Sequence, residues 1–251
     1  MYIGPFLDKF LSNLNKEEIH IESMIAFSPV FKATFKEEVK ARLGMYGLVD
    51  FVKMSGYIVR EKLNSKLFDF FNGNKCFSLG NISNKYKLPI LKYDDPNGRN
   101  YKDYIKENEI DLVISIACPK ILKKETIESP KLGTINYHTG ALPKYRGRQP
   151  LFWAKYNREE EIGITVHEMA PALDAGLIIL QRFFKNKVEE SLHETYLKSI
   201  DLGPIVLLEA LRKIYLKDSQ RIENPKEKST KFTFPTAEQG KEYRLKGLTF
   251  F

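Results

Sequence analysis

Asp111-Leu112-Val113-Ile114-Ser115-Ile116-Ala117 is the stretch on which the fold turns. An apolar, β-branched run this continuous reads as a central parallel strand covered on both faces, because a half-exposed strand would alternate. Working outward, Thr134 to His138 reads as a second strand, Gly163 to Met169 as an alternating third, and Gly176 to Phe184 as a fourth. Tyr101 to Asn108 and Gln149 to Tyr156 read as short helices, and residues 191 to 217 as a long one that Gly203-Pro204 should interrupt or kink. Upstream, Tyr2-Ile3 reads as a very short strand entering an amphipathic helix, with further strands at Ile21 to Phe27 and Cys76 to Leu79. Helices between strands predict right-handed crossovers. The expected fold is therefore α/β: a Rossmann-like, mostly parallel, doubly wound sheet with helices on both faces, plus a short C-terminal appendage.

At 251 residues, with 43% hydrophobic and 29% charged, the chain is neither a disordered segment nor a collagen or coiled coil. No apolar run approaches the ~20 residues that span a bilayer. Met1 to Pro5 lacks the basic and apolar regions of a secretory signal, so a cytoplasmic protein without a membrane partner is expected. Cys76 and Cys118 have no CxxC spacing, which argues against a disulfide framework and a cysteine-based zinc site; no metal is expected. The net charge of +8 suits anionic partners of several kinds, nucleotides and folates among them. Residues 1–217 read as one catalytic domain and 218–251 as a linker and tail. Within the former lies a basic insertion at about 32–72, where Lys32, Lys36, Lys40, Arg42, Lys53, Arg60, Lys62 and Lys66 interleave with apolar residues at helical spacing. The favoured reading is a helix pair packing its apolar side on the domain; the alternative is a basic arm for RNA or a membrane surface. Phe232-Thr233-Phe234-Pro235 reads as an exposed strand that would pair with a second copy in a homodimer.

Ligands of open α/β sheets bind at the carboxyl edges of the strands. Asn136 and His138 end the second strand two residues apart, so both project to one side. Asp174 lies in the Leu173-Asp174-Ala175-Gly176 turn. An imidazole, a carboxamide and a carboxylate in one cleft can stabilise a tetrahedral oxyanion and move a proton, which is acyl-transfer chemistry. GxSxG is absent and neither cysteine is next to the histidine, so direct transfer between two bound substrates fits better than a covalent acyl-enzyme. A strand-end Asn and His can equally be satisfied structural groups.

Asn136-x-His138, Leu142-Pro143-Lys144-Tyr145-Arg146-Gly147, Gly163-Ile164-Thr165-Val166-His167 and Asp174-Ala175-Gly176 together resemble the 10-formyltetrahydrofolate-dependent formyltransferases, from about Asp111 to Gln181. The resemblance implies a formyl group passed from 10-formyltetrahydrofolate, as co-substrate, to a primary amine. Asn136, His138 and Asp174 would then be catalytic. The folate would lie against Ala117, Cys118, Pro119, Ile121 and Leu122 and against Ala170, Ala172 and Leu173. The acceptor is expected to be a small-molecule amine, foremost an amino-sugar nucleotide, because Leu142 to Arg148 followed by an apolar, Trp-bearing helix is most similar to that branch. Glycinamide ribonucleotide and methionyl-tRNA are the alternative acceptors. The tRNA is disfavoured because the residues after Gln181 leave little room for an RNA-contacting barrel. A non-catalytic folate-binding homologue is the remaining alternative. His167 alternates with Thr165 and is expected to pack within the sheet rather than point into the cleft, Arg146 to make structural hydrogen bonds as readily as to bind phosphate, and Trp153 to pack.

Overall fold

A computed structural model of the chain describes residues 2–27, 34–71, 76–218 and 220–251. The order of elements is α1 (Ile3–Ser12), β1 (Met24–Ala26), α2 (Phe35–Phe71), α3 (Leu79–Tyr86), β2 (Ile90–Lys92), α4 (Arg99–Glu107), β3 (Val113–Ile116), α5 (Lys124–Ile127), β4 (Thr134–His138), β5 (Arg146–Gly147), α6 (Pro150–Tyr156), β6 (Glu161–Glu168), β7 (Ile178–Lys185), α7 (Leu192–Tyr215), β8 (Lys231–Phe232) and α8 (Ala237–Leu245). The main sheet has the order β3-β4-β6-β7. The Rossmann-like α/β expectation holds: β1 pairs parallel to β2 and β3 parallel to β4, while β6 and β7 continue the sheet antiparallel. The β6–β7 reversal has a physical reason, since the short 169–177 link between these two strands cannot make the crossover a parallel pair needs.

Two of the expected strands, at Tyr2-Ile3 and at Cys76 to Leu79, do not form, and each stretch instead leads into the start of a helix. Tyr2 is the N-cap of α1, with Pro5 in its first turn, where a fixed φ and a missing N–H cost nothing. Ser78 caps α3: its side chain accepts from Asn81 N–H at 3.1 Å while Asn81 Oδ1 accepts from Ser78 N–H at 3.2 Å, so Leu79 is helical. Cys76 remains in the core. Gly203-Pro204 does not end α7, and the missing Cβ of Gly203 leaves the space taken by the Tyr137 hydroxyl. Residues 32, 33 and 72 of the basic insertion lie outside the described residues, and the remainder is helical, broken at Gly47 (φ 74°, ψ 168°).

Side-chain alternation sorts the sheet into two faces. Ile135 and Tyr137 of β4, and Ile164 and Val166 of β6, enter a core with Phe6, Ile82, Ile200 and Leu207 from α1, α3 and α7. Their neighbours Asn136, His138, Thr165 and His167 therefore share the opposite face. A second core joins Met45, Phe152, Trp153, Leu192, Tyr243 and Phe250. The C-terminal residues build it. Thr249 and Phe250 carbonyls accept from Leu192 and His193 N–H at 2.8 and 3.0 Å, satisfying donors that the start of α7 would leave orphaned. Trp153 packs as expected, stacking on Phe232 and donating through Nε1 to Thr233 O at 3.0 Å. The Phe232 strand finds its pairing within the chain, on β5.

Candidate active site

The register of β4 and β6 sets Asn136 opposite His167 and His138 opposite Thr165. Four polar side chains thus stand in two rows on one face. His138 is buried, and its Nε2–H donates to the Tyr145 carbonyl at 2.8 Å, which leaves Nδ1 facing Asp174 Oδ2 at 3.9 Å. His167 is also buried; its Nδ1–H donates to Glu168 O at 2.7 Å, and its Nε2 lies 3.1 Å from Asn136 Nδ2 and 3.7 Å from Asp174 Oδ1. Burial first, and the neighbouring His138 second, pull His167 down to about 4. A neutral His167 with its proton on Nδ1 accepts from Asn136 at Nε2, orienting the carboxamide. One Asn136 N–H is then fixed and the other is available to a ligand.

Asp174 reaches this face by a loop that leaves the sheet at Glu168 and returns at Ile178. Its backbone adopts φ 47°, the left-handed region that aspartate tolerates better than most side chains. Gly147 N–H donates to Asp174 Oδ2 at 2.7 Å. A Cβ at Gly147 would collide with Phe232 O, so glycine at this position permits both the β5–β8 pairing and the approach to the carboxylate. Asn224 clamps the loop, donating from Nδ2 to the carbonyls of Asp174 and Gly176, both at 2.9 Å. Arg146 Nη2 in turn donates to Asn224 O and Oδ1 at 2.8 and 2.7 Å, so Arg146 takes the structural role.

The structure brings Asp174 to the strand-end pair Asn136 and His138, from which it is separated by more than thirty residues in sequence. It adds His167, which sequence reasoning assigned to packing, and Asn224, which it left in a linker. The register that sets His167 beside Asn136 was the signal for the former; nothing local marks Asn224. Ala117, Cys118 and Pro119 follow β3, at the same sheet edge as His138 because β3 and β4 are parallel. Ala117 turns the chain there with φ 52°. Leu122 is buried while Ile121 is 78% exposed, and Asn97 pins the segment by donating to Ile121 O at 2.9 Å and accepting from Lys123 N–H at 2.7 Å. Burial pushes the Cys118 thiol up, keeping it protonated. Ala170, Ala172 and Leu173 lie on the loop that delivers Asp174, and Ala172 and Leu173 are exposed. Among the described residues no cluster of His, Cys, Asp and Glu is placed to hold a metal ion.

Residues 83–211, just over half of the chain, match the family model described as formyl transferase. The chain belongs to the formyl transferase family. The matched span carries every polar group of this face, including Asn136, His138, His167 and Asp174. Residues 1–82, with all of α2, lie outside it. Among curated relatives, the methionyl-tRNA formyltransferase of Kosmotoga olearia is 33% identical over 133 residues, 53% of this chain and 43% of that protein. The bifunctional polymyxin resistance protein ArnA of Wigglesworthia glossinidia brevipalpis is 36% identical over 48% of this chain and 17% of its own length. The chain thus spans less than half the length of the curated relatives it matches. Among solved structures, a sugar N-formyltransferase from Shewanella sp FDAARGOS_354 superposes with a TM-score of 0.53 at 17% identity, over 86% of this chain and 78% of that one. HypX from Aquifex aeolicus in complex with tetrahydrofolic acid gives a TM-score of 0.51 at 19% identity, over 62% and 27%. These two likenesses are likenesses of fold.

Proposed function

We propose that this formyl transferase family member passes a formyl group from 10-formyltetrahydrofolate to a primary amine on an amino-sugar nucleotide or another small metabolite. The observation that carries the reading is the convergence of Asn136, His138 and Asp174 on one buried polar face. The amine lone pair forms a bond to the formyl carbon, and the carbonyl electron pair moves to oxygen. The resulting oxyanion accepts from the Asn136 N–H that His167 leaves available and from His138 Nδ1–H when that ring carries both protons. Asp174 takes the proton from the new ammonium and passes it to N10 of the folate as the carbon–N10 bond breaks, so the products are a formamide and tetrahydrofolate. The pterin lies against Ala117, Cys118, Pro119, Ile121 and Leu122 on one side and Ala170, Ala172 and Leu173 on the other. The exposed apolar side chains of Ile121 and Leu173, on loops flanking the polar face, support this placement.

The amino-sugar reading draws on the Leu142 to Arg148 loop and on the sugar N-formyltransferase of similar fold. The methionyl-tRNA formyltransferases among the relatives give the second reading. The test offers 10-formyltetrahydrofolate with amino-sugar nucleotides, glycinamide ribonucleotide and charged initiator tRNA, and measures released tetrahydrofolate. Fastest release with a small amine is expected. Release with methionyl-tRNA at a comparable rate would move the assignment to tRNA, and folate binding without turnover on any amine would mark a non-catalytic homologue.

A further inference from the structure

Beyond Gly47, α2 turns a continuous row of apolar side chains to solvent, where an ordinary surface helix carries polar ones. Leu48, Val49, Val52, Val59, Leu63 and Leu67 are each between 51% and 69% exposed. At 100° per residue they fall, with Gly56, within an arc of about 100°, a stripe roughly 30 Å long. The opposite side is anchored by polar contacts. Asp50 Oδ2 accepts from Phe250 N–H at 2.9 Å, the Tyr57 ring meets His193 edge-on at 4.7 Å, and Ser65 Oγ bonds Ser78 Oγ and Asn81 Oδ1 at 3.0 and 2.9 Å. The stripe is therefore turned outward by the packing of the helix.

Charge identifies what meets it. From Leu48 to Leu67 the exposed charged side chains are Lys53, Arg60, Lys62 and Lys66, all basic. Lys62 and Lys66 flank one edge of the stripe, Lys53 and Arg60 the other. Asp50 is buried, and Glu61 is turned inward beside Arg60 at 3.5 Å. Lys53 also donates to Phe251 O, and Arg60 covers the Tyr57 ring. A second copy seated stripe on stripe would bring basic edges together with no exposed carboxylate on this stretch to pair them. An RNA would leave the leucines and valines uncovered. We propose that residues 48–67 of α2 form a docking face that lies in the interface of a membrane bearing anionic lipid headgroups, apolar side chains toward the acyl boundary and lysines at the headgroups. No described helix is long and apolar enough to cross a membrane, and a helix lying along the surface has no need to be. The absence of a spanning run, which led sequence reasoning to expect no membrane partner, bears only on crossing.

The experiment sediments the full chain with vesicles of phosphatidylcholine alone and with equimolar phosphatidylcholine and phosphatidylglycerol. The anionic vesicles are expected to bind the chain at least ~10-fold more tightly, with binding weakened by salt. Leu63→Glu and Val59→Glu, at exposed positions, should leave the melting temperature unchanged and remove most of that binding; Lys62→Glu with Lys66→Glu should remove the preference for phosphatidylglycerol. Absence of binding to the anionic vesicles overturns the proposal, as does equal binding to both vesicle types, a result that needs no variant. A dimer in solution that Leu63→Glu turns into a monomer would assign the stripe to a second copy and overturn it too.

Discussion

His167 stays neutral because burial opposes its charge, and that makes it a source of pH-dependent stability. Its folded value of about 4 lies below that of an exposed histidine, near 6.5, so the unfolded chain takes up the proton first as the pH falls. The stability linked to this ring is complete above pH ~6.5, declines through the window below it, and is lost as the pH falls through about 4, a difference on the order of 3 kcal/mol. Thermal melts of the wild type and His167→Gln across this window should show a shallower decline in the variant; parallel declines would remove the ring from the acid response. The neighbouring triad makes a different prediction. His138→Ala, Asn136→Ala and Asp174→Ala should each lower turnover by roughly two orders of magnitude or more, about 3 kcal/mol of barrier, with folate affinity largely intact. A double variant should be scarcely worse than the more damaging single one, since residues acting on one intermediate do not add. Turnover, folate binding and melting on the same preparations check this: loss of activity only in proportion to loss of fold would make the three residues structural.

Strand β4 could be read from the sequence almost residue for residue, because its apolar and polar positions alternate and its end carries Asn136 and His138. The loop that carries Asp174 could be read as a turn, but what holds it could not. Its clamp is Asn224, whose bonds to Asp174 O and Gly176 O join residues about fifty positions apart, and no local pattern encodes such a contact. Asn224→Ala should free two loop carbonyls and deprive the buried Arg146 of its side-chain acceptor, at a cost of ~1–3 kcal/mol. It should also lower turnover without touching the triad. Faster amide exchange over 169–177, together with the drop in melting temperature, would confirm the clamp; exchange unchanged there would show the loop to be held otherwise. The strands expected at Tyr2-Ile3 and Cys76 to Leu79 failed for a related reason. A short apolar run fits strand or helix equally well, and Pro5 in the first turn of α1 and the capping box at Ser78 favour helix.

Two cores divide the molecule. The one under the sheet follows from strand and helix periodicity, whereas the second is assembled from Met45 and residues of α6, α7 and the C-terminal stretch, aromatic groups that no single window of sequence reveals as neighbours. Phe250 is buried among Phe152, Tyr243 and Tyr46. Phe250→Ala should therefore cost ~3–5 kcal/mol, read as a shift in denaturant midpoint. Because Asp50 bonds the Phe250 backbone, the same change should speed amide exchange around residue 50; a variant stable to within 1 kcal/mol, by the scale of ordinary surface changes, would show that the tail is dispensable. The long reach of Asn224 also has a consequence in time. Ribosomes add about 5–20 residues per second, so Asp174 is made several seconds before the residue that fixes its loop exists. A nascent chain carrying all four polar groups of the sheet face therefore holds its aspartate unclamped until Asn224 has been made.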